Sequence, residues 1–555
     1  MDASKYKTGY FPVGKKYCDW AKKDHIEKTP IWCSVDMRDG NQSLVVPMSP
    51  EEKIEFFKVL LKVGFKEIEV GFPAANDSEY EFLRTIIDNN MIPDDVTVQV
   101  LTQCREHIIR KTFEACEGAK NVIVHFYNST SKVQREQVFE KSKEEILQIA
   151  VDGARLVKQL SKGYKGNFRF EYSPESFTGT EPEFALEVCN AVLDVLEPSD
   201  DNNVIINLPA TVELSLPHIY ASQVEYMSKN LKYRENVTLS VHTHNDRGTG
   251  VADTELAILA GAGRVEGTLF GNGERTGNVD IITLALNMYT HGVDPGLDFS
   301  DMGYLIEMYE KCTGMHVYER LPYAGALVFA AFSGGHQDAI AKGMNYRDKN
   351  HLKEWNVPYI PIDPSDIGRK YEADIIRVNS QSGKGGIGYI LERNFGYVLP
   401  PKMREALSYI CKATSDREHR ELRPNEILSI FSKNYLNIEG KITITDYEFM
   451  HDGGNVKIYI SFMQDGVETP MEAEGNGSLS AISNALKKYT GKKYILQEFT
   501  QHSMQGQGSQ SVAASYIGLE STEGKMYWGA GTDTDVIKAS AKALLSAFEN
   551  MVMCQ

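Results

Sequence analysis

The sequence predicts an α/β protein: a (β/α)8 barrel, followed by helical linker subdomains and a C-terminal α+β domain. Three observations carry this reading. From residue 31 onward, eight short β-branched runs alternate with longer amphipathic stretches. The eight units fill roughly 250 residues, the size of a TIM barrel, whereas a doubly wound sheet more often has five or six strands. After about residue 435 a different texture appears, strand-like runs leading to a helix, and it occurs twice.

The eight runs are IWCSVD, EIEVGF, VTVQVL, NVIVHF, FRFEYS, NVIINL, VTLSVH and RVEGTLF. Each is followed by a helix-like segment, which implies parallel strands. The first shows the local logic: Ser49-Pro50-Glu51-Glu52 is a capping box with proline at the first helical position. Ile54, Phe57, Leu60 and Leu61 then fall on one face before Gly64. This catalytic barrel, with an N-terminal extension, is assigned to residues 1–295.

Residues 296–434 read as linker subdomains, helical apart from the glycine-rich VNSQSGKGGIGYI (378–390). Within it SGKGG at 382 lacks the upstream glycine and the Ser or Thr of a phosphate loop and reads as a flexible turn. Residues 435–555 form the last domain. KITITDYEF and VKIYISF lead to a helix carrying Leu479, Ile482, Leu486 and Tyr489. KYILQEFT, SVAASYIGLE and KMYWGAG lead to a second with Ile537, Leu544, Leu545 and Phe548.

The chain of 555 residues carries a net charge of −17, which disfavours the basic surface that nucleic acid or an anionic membrane requires. Small molecules are the expected partners, with no nucleic acid and no membrane. No apolar stretch reaches signal-peptide or membrane-span form. The eight cysteines include no CxxC pair, so reduced thiols and a cytoplasmic location are expected.

Active-site residues of such barrels lie at the C-terminal strand ends. The first run gives Arg38, Asp39, Asn41 and Gln42, the fourth His125, and the fifth Glu171, Ser173 and Glu175. The sixth gives Asn207, Pro209 and Thr211, the seventh His242, His244, Asn245 and Asp246, and the eighth Asn272, Gly273, Glu274 and Arg275. In VHTHND the histidines are two apart and share a strand face, so both imidazoles can reach one metal. By itself HxH also describes two ordinary polar residues at a strand end, and Asp39 also fits a plain Asp-Gly-Asn turn. Together they supply two nitrogens and a carboxylate with positions open for substrate, a set suited to Mg²⁺, Mn²⁺ or Zn²⁺ as a Lewis acid. GNGERTGN (271–278) offers backbone amides ahead of a helix, so Asn272, Gly273, Glu274 and Arg275 are expected to cradle a phosphate or carboxylate of a bound cofactor.

An ordered set of blocks resembles the 2-isopropylmalate synthase family: DMRDGNQ, LTQCRE, VHFYNSTS, EYSPESFTGTE, NLPATVE, HTHND, FGNGERTGN, SGGHQDAI and VPYIPIDP. The resemblance implies condensation of acetyl-CoA with a branched 2-oxo acid, 3-methyl-2-oxobutanoate, and hydrolysis of the thioester. It implies a divalent metal, Mg²⁺ first, held by Asp39, His242, His244 and Asn278, with Arg38 stabilising the developing alkoxide. Thr211 would bind the substrate carboxylate, and Leu101, His125, Ser173, Asn207 and Pro209 would wall the branched side-chain pocket. Glu175 would lie beside the oxo acid. His336 and Tyr359 would reach the active site of the second subunit of a homodimer, and the base is left open between Glu175 and a His336–Tyr359 relay. The C-terminal domain resembles a leucine-sensing domain, with Gly475 and Gly477 (EGNGSLSAI) and Gly529 and Gly531 (WGAGTDTD) offering amides to the effector's carboxylate. A sister synthase for another oxo acid, or a non-catalytic amino-acid-binding regulator, are the competing readings; loss of a metal ligand would mark the second.

Overall fold

The structure, a computed structural model, describes residues 1–331, 333–371, 384–418, 422, 424–452, 454–504 and 511–553. The chain divides into two compact units, Met1–Val328 with Ile362–Lys370, and Phe329–Pro361 with Tyr371–Gln555.

In the first unit every predicted run is a strand: β1 (Ile31–Ser34), β2 (Glu67–Gly71), β3 (Thr97–Gln103), β4 (Asn121–Ser129), β5 (Asn167–Glu175), β6 (Val204–Ala210), β7 (Val237–Thr243) and β8 (Arg264–Gly267). They close a parallel barrel in sequence order, with Ile31 to Ser34 opposite Arg264 to Gly267 at the seam. The helix Pro50–Val63 starts at the Ser49 capping box, both halves of which form, and stops at left-handed Gly64, φ 109°. It buries Phe56, Phe57, Val59, Leu60 and Val63, each contributing about 1.5–3 kcal/mol of hydrophobic stabilisation.

The strand period of two does more than fill this barrel with aliphatic side chains. Glu67 and Glu69, Glu171 and Ser173, Ser240 and His242, and Arg264 and Glu266 are pairs two residues apart on one strand, and all are buried. Arg264 reaches across the interior to Glu67 (2.6 Å), Glu266 (3.0 Å), Ser240 (2.9 Å) and Gln99 (2.7 Å). The barrel interior is therefore a polar, charge-paired core.

The second unit begins with helices Gly334–Asn350, Lys384–Phe395, Pro401–Glu418 and Pro424–Tyr435. Ser382 and Gly383 of the expected SGKGG turn lie outside the described residues. From Lys384 onward the chain is helical, so the turn reading fails there. Two βββα repeats follow: β9 (Ile442–Asp452), β10 (Asn455–Gln464), β11 (Val467–Gly475) and helix Ser478–Thr490, then β12 (Tyr494–Ser503), β13 (Ala513–Ser521), β14 (Met526–Asp533) and helix Val536–Met553. Their shared core includes Ile458, Phe462, Ile482, Leu486, Ile517, Leu544 and Phe548. The sequence reading finds only two strands in the first repeat. It misses β11 because VETPMEAEG is acidic and contains Pro470, which an edge strand of the order β11-β10-β9 tolerates. Among the described residues no helix is long and apolar enough to cross a membrane.

The helices lie directly on the glycines expected to present amides to an effector. A Cβ on Gly529 would stand 2.2 Å from Ala547 N, one on Gly531 2.2 Å from Ala539 O, and one on Gly475 2.4 Å from Ala481 N. These three glycines allow close strand–helix packing, and only Gly477, at the N-cap of Ser478–Thr490, faces open space. Gly529→Ala should therefore destabilise this unit by about 1–3 kcal/mol, read as a lower denaturant midpoint, whereas Gly477→Ala leaves the midpoint near wild type. Equal midpoints for the two variants would contradict the packing role.

Candidate active site

Asp39 sits where β1 runs into one turn of π-helix, Asp36–Gly40, a wide turn that is frequent at functional sites. The turn is buttressed from the β8 side: Asp36 accepts the backbone N–H of Leu269 at 3.0 Å and the hydroxyl of Ser34 at 2.8 Å. His242 lies near the end of β7 and His244 just beyond it, on the same face. Their Nε2 atoms stand 3.4 and 3.6 Å from Oδ2 of Asp39. All three side chains are buried, with one ligand atom of each within 4.8 Å of the others.

Behind the trio stands Glu266. Its Oε2 accepts from Nδ1 of His242 at 2.8 Å, so in the neutral imidazole, the form that binds a metal, Nε2 is the nitrogen that carries the lone pair on the Asp39 side. Burial alone would lower the His242 pKa, but the hydrogen bonds to Asp39 and Glu266 outweigh it and raise it to about 9. His244 is moved the other way, to about 4, by burial and then by the charge of His242. Burial opposes ionisation of Asp39, yet Arg38 and the two histidines hold its carboxyl far below the usual range.

These groups fit a divalent cation. Buried Oδ1 of Asn278 has no hydrogen-bond partner, while its Nδ2 donates to Asp39 at 2.9 Å and to the Asn272 carbonyl at 3.1 Å. Two imidazole nitrogens, a carboxylate and an amide oxygen make a mixed N/O donor set, and the pull of two carboxylates on His242 marks a place where positive charge is favoured.

The trio forms part of the wall of a cavity of about 270 Å³. Arg38 lines it with Nε on Glu69 (2.6 Å) and Nη1 on Asp39 (2.7 Å), so its guanidinium is fixed in orientation. Leu101, His125, Ser173, Asn207 and Pro209 also line it. His125 is held between Glu69 (2.9 Å) and the Ser173 hydroxyl (2.7 Å), and Ser173 accepts from Asn207 at 3.0 Å. Thr211 accepts the Ser176 N–H at 3.0 Å, which leaves its hydroxyl proton free to donate to a carboxylate. Glu175, also on the wall, accepts from the Ser129 hydroxyl.

The expected cradle divides. Glu274 and Arg275 line the cavity, while Asn272 donates to Gly40 O at 3.0 Å and Gly273 packs on the Asn278 side chain, so both brace the turn that carries Asp39. Arg275 is tied to Asp246 at 2.7 Å and to Thr211 O. His336 and Tyr359 belong to the other unit, where their rings stack at 3.9 Å and Tyr359 adopts a left-handed φ of 64°. Sequence reasoning misses Glu69 and Glu266, inside apolar runs, and Arg264, at the N-terminal end of β8, none of them at the C-terminal strand ends where the site is sought. The available signal is a charged residue at an inward strand position, as in EIEVGF and RVEGTLF.

Two tests follow from this geometry. Glu266→Gln should lower divalent-metal affinity about 10–100-fold in calorimetric titration while the fold's circular dichroism is unchanged; wild-type affinity would refute the orienting role. Just past β6, Glu213 accepts from Thr249 Oγ1 at 2.6 Å and from the Arg247 N–H, both in the loop after HTHND. Burial, then the neighbouring Glu213 charge, raises Asp253 to about 8. A carboxyl raised in the folded state loses stability as pH climbs from its unfolded value near 4 to its folded value. Asp253→Asn removes that loss, so its advantage in Tm over wild type should widen between pH 5 and pH 8 and level off above. A pH-independent difference would contradict it.

Comparison with known proteins agrees with the ordered blocks. Residues 29–308 match the HMGL-like family, 326–392 the family described as alpha-isopropylmalate synthase, post-catalytic domain-like, and 421–552 the LeuA allosteric (dimerisation) domain. The chain is 58% identical over 560 residues to the 2-isopropylmalate synthase of Helicobacter hepaticus, covering 100% of both chains. It is 58% identical to that of Desulfitobacterium hafniense (99% of this chain, 98% of the relative) and 51% identical to that of Acetoanaerobium sticklandii (100% and 98%). With the metal-capable trio, the polar cavity and the full-length likeness together, the chain belongs to the 2-isopropylmalate synthase family.

Proposed function

We infer that the chain joins the acetyl group of acetyl-CoA to 3-methyl-2-oxobutanoate in a Claisen-type condensation and hydrolyses the thioester, giving 2-isopropylmalate and CoA. This is the first committed step of leucine biosynthesis. The observation that carries this reading is the Asp39–His242–His244 cluster with the unpartnered Asn278 Oδ1, beside Arg38 and Thr211 in one cavity. A divalent ion held there, Mg²⁺ by preference with Mn²⁺ or Zn²⁺ as alternatives, supplies Lewis acidity toward the keto oxygen.

The chain's own groups do the rest. Arg38, its orientation fixed by Glu69 and Asp39, meets the negative charge that develops on the keto oxygen. The Thr211 hydroxyl donates to the carboxylate, and Leu101 and Pro209 take the branched end. His125, Ser173 and Asn207 form one hydrogen-bonded chain there, with only Asn207 Oδ1 left without a partner. The methyl proton of acetyl-CoA goes to Glu175 or to the stacked His336–Tyr359 pair. In the second case the pair serves the site of the other subunit, and the working assembly is a cytoplasmic homodimer. Leucine acts on residues 435–555 as feedback inhibitor.

CoA release from acetyl-CoA should be fastest with 3-methyl-2-oxobutanoate among a panel of 2-oxo acids and should require divalent metal. Preference for pyruvate or 2-oxoglutarate would favour a sister synthase. Asp39→Ala should cut kcat on the order of 10²–10³-fold and reduce bound metal, and full activity with full metal content would refute the site. Unchanged kinetics at millimolar leucine would remove the regulatory reading.

A further inference from the structure

Thr211 lines the metal cavity but stands one residue beyond β6, whose last register pair with β7 is Ala210 opposite Thr243. Strand pairing therefore stops just short of it. Three neighbouring loops hold it instead. From the loop after β5, the Ser176 N–H donates to Thr211 Oγ1 at 3.0 Å and the Thr178 hydroxyl donates to Val212 O at 2.8 Å. From the loop after β8, Nη2 of Arg275 donates to Thr211 O. From the loop after β7, Asp246 accepts the Glu213 N–H at 3.1 Å and grips Arg275 through Nε at 2.7 Å and Nη2 at 3.2 Å.

We propose that Ser176 and the Asp246–Arg275 pair are positioning residues that fix the Thr211 hydroxyl for the carboxylate of the 2-oxo acid. The proposal rests on the reading of Thr211 as the carboxylate's partner. Threonine is branched at Cβ and has few side-chain rotamers, so holding its carbonyl and its Oγ1 together sets the direction of its hydroxyl proton. Both residues that do so, Ser176 at φ 58° and Arg275 at φ 57°, are left-handed without being glycine. Such backbone persists only where its surroundings over-determine it. Here two such residues converge on one threonine.

The bonds of Arg275 define its part. Nε and Nη2 are committed to Asp246 and Thr211 O, and the Asp246 carboxylate offsets the charge that would otherwise draw the substrate's carboxylate directly. Arg275 therefore acts through Thr211. Asp246 lies two residues past His244 in HTHND, so the same clamp ties the Thr211 hydroxyl to the strand end that carries two of the metal-capable groups. An acid that must meet both anchors at once reacts fastest when their separation is held.

The test is a double-mutant cycle on Thr211 and Arg275, read by steady-state kinetics of the full-length enzyme with divalent metal. Thr211→Val should raise KM for 3-methyl-2-oxobutanoate about tenfold or more, through loss of a hydrogen bond to a charged group. Arg275→Ala should raise the same KM about fivefold, with the acetyl-CoA KM and the circular dichroism near wild type. The Arg275 side chain is 41% exposed, so its loss opens no core. Asp246→Asn, which weakens the grip on Arg275, should act in the same direction and less. In the Thr211→Val background Arg275→Ala should add less than about twofold, because the group it positions is gone. A full penalty retained in that background would make Arg275 a direct partner of the carboxylate, and equal effects on both substrates' KM would make its role merely structural. Either result overturns the proposal, as does a wild-type oxo-acid KM in Arg275→Ala. A wild-type oxo-acid KM in Thr211→Val would instead sink the reading of Thr211, and the clamp with it.

Discussion

Pairing of buried charge inside the barrel is the constraint on which the rest depends. Four carboxylates, Glu67, Glu69, Glu171 and Glu266, point into an interior that excludes water, and an uncompensated buried charge would destabilise the barrel by several kcal/mol. Arg264, fully buried, answers Glu67, Glu171 and Glu266, and Arg38 answers Glu69. Glu171 departs most from ordinary behaviour: burial first, tempered by Arg264, keeps its carboxyl well above the ordinary value. A barrel floored with aliphatic residues would be simpler to stabilise. This one carries a charged floor that fixes the groups above it.

From that floor the site is built by contact. Arg264 holds Glu266, Glu266 holds His242, and His242 faces Asp39. On the other side Glu69 holds both Arg38 and His125, and Arg38 closes the circuit on Asp39. His242 is thus positioned by Glu266, whose own place is set by its ion pair with Arg264, and Arg38 and His125 share one carboxylate, Glu69. The reacting centre is preorganised on strands and one short turn, and little rearrangement is needed when substrate binds.

Much of this was legible in the sequence, for reasons that also explain the gaps. Alternating β-branched runs and capped amphipathic helices report a parallel barrel because both periods are local. Strand-end residues report the cavity because barrel topology puts all eight ends on one face. Glu266 and Glu69 were not legible, since a carboxylate inside EIEVGF or RVEGTLF looks like the solvent side of a strand until closure turns it inward. Asn272 and Gly273 carry a structural part their glycine-rich setting does not announce, since their contacts go to Gly40 and Asn278. In the C-terminal repeats the same inversion occurs, because Gly529 and Gly531 are required by the helix pressing on them. Strand β11 escaped because edge strands tolerate the acidic residues and proline that ordinarily signal a loop.

The central question of the chemistry is whether Asp39, His242 and His244 hold the ion that contacts the oxo acid. The direct measurement is electron–nuclear double resonance on Mn²⁺-loaded enzyme mixed with 3-methyl-2-oxobutanoate carrying ¹³C at the carboxyl and keto carbons. The predicted spectrum contains couplings to two imidazole nitrogens and to both carbons, with one nitrogen coupling lost in each of His242→Ala and His244→Ala. Nitrogen couplings that survive both substitutions, or a bound ion with no ¹³C coupling at saturating oxo acid, would contradict it.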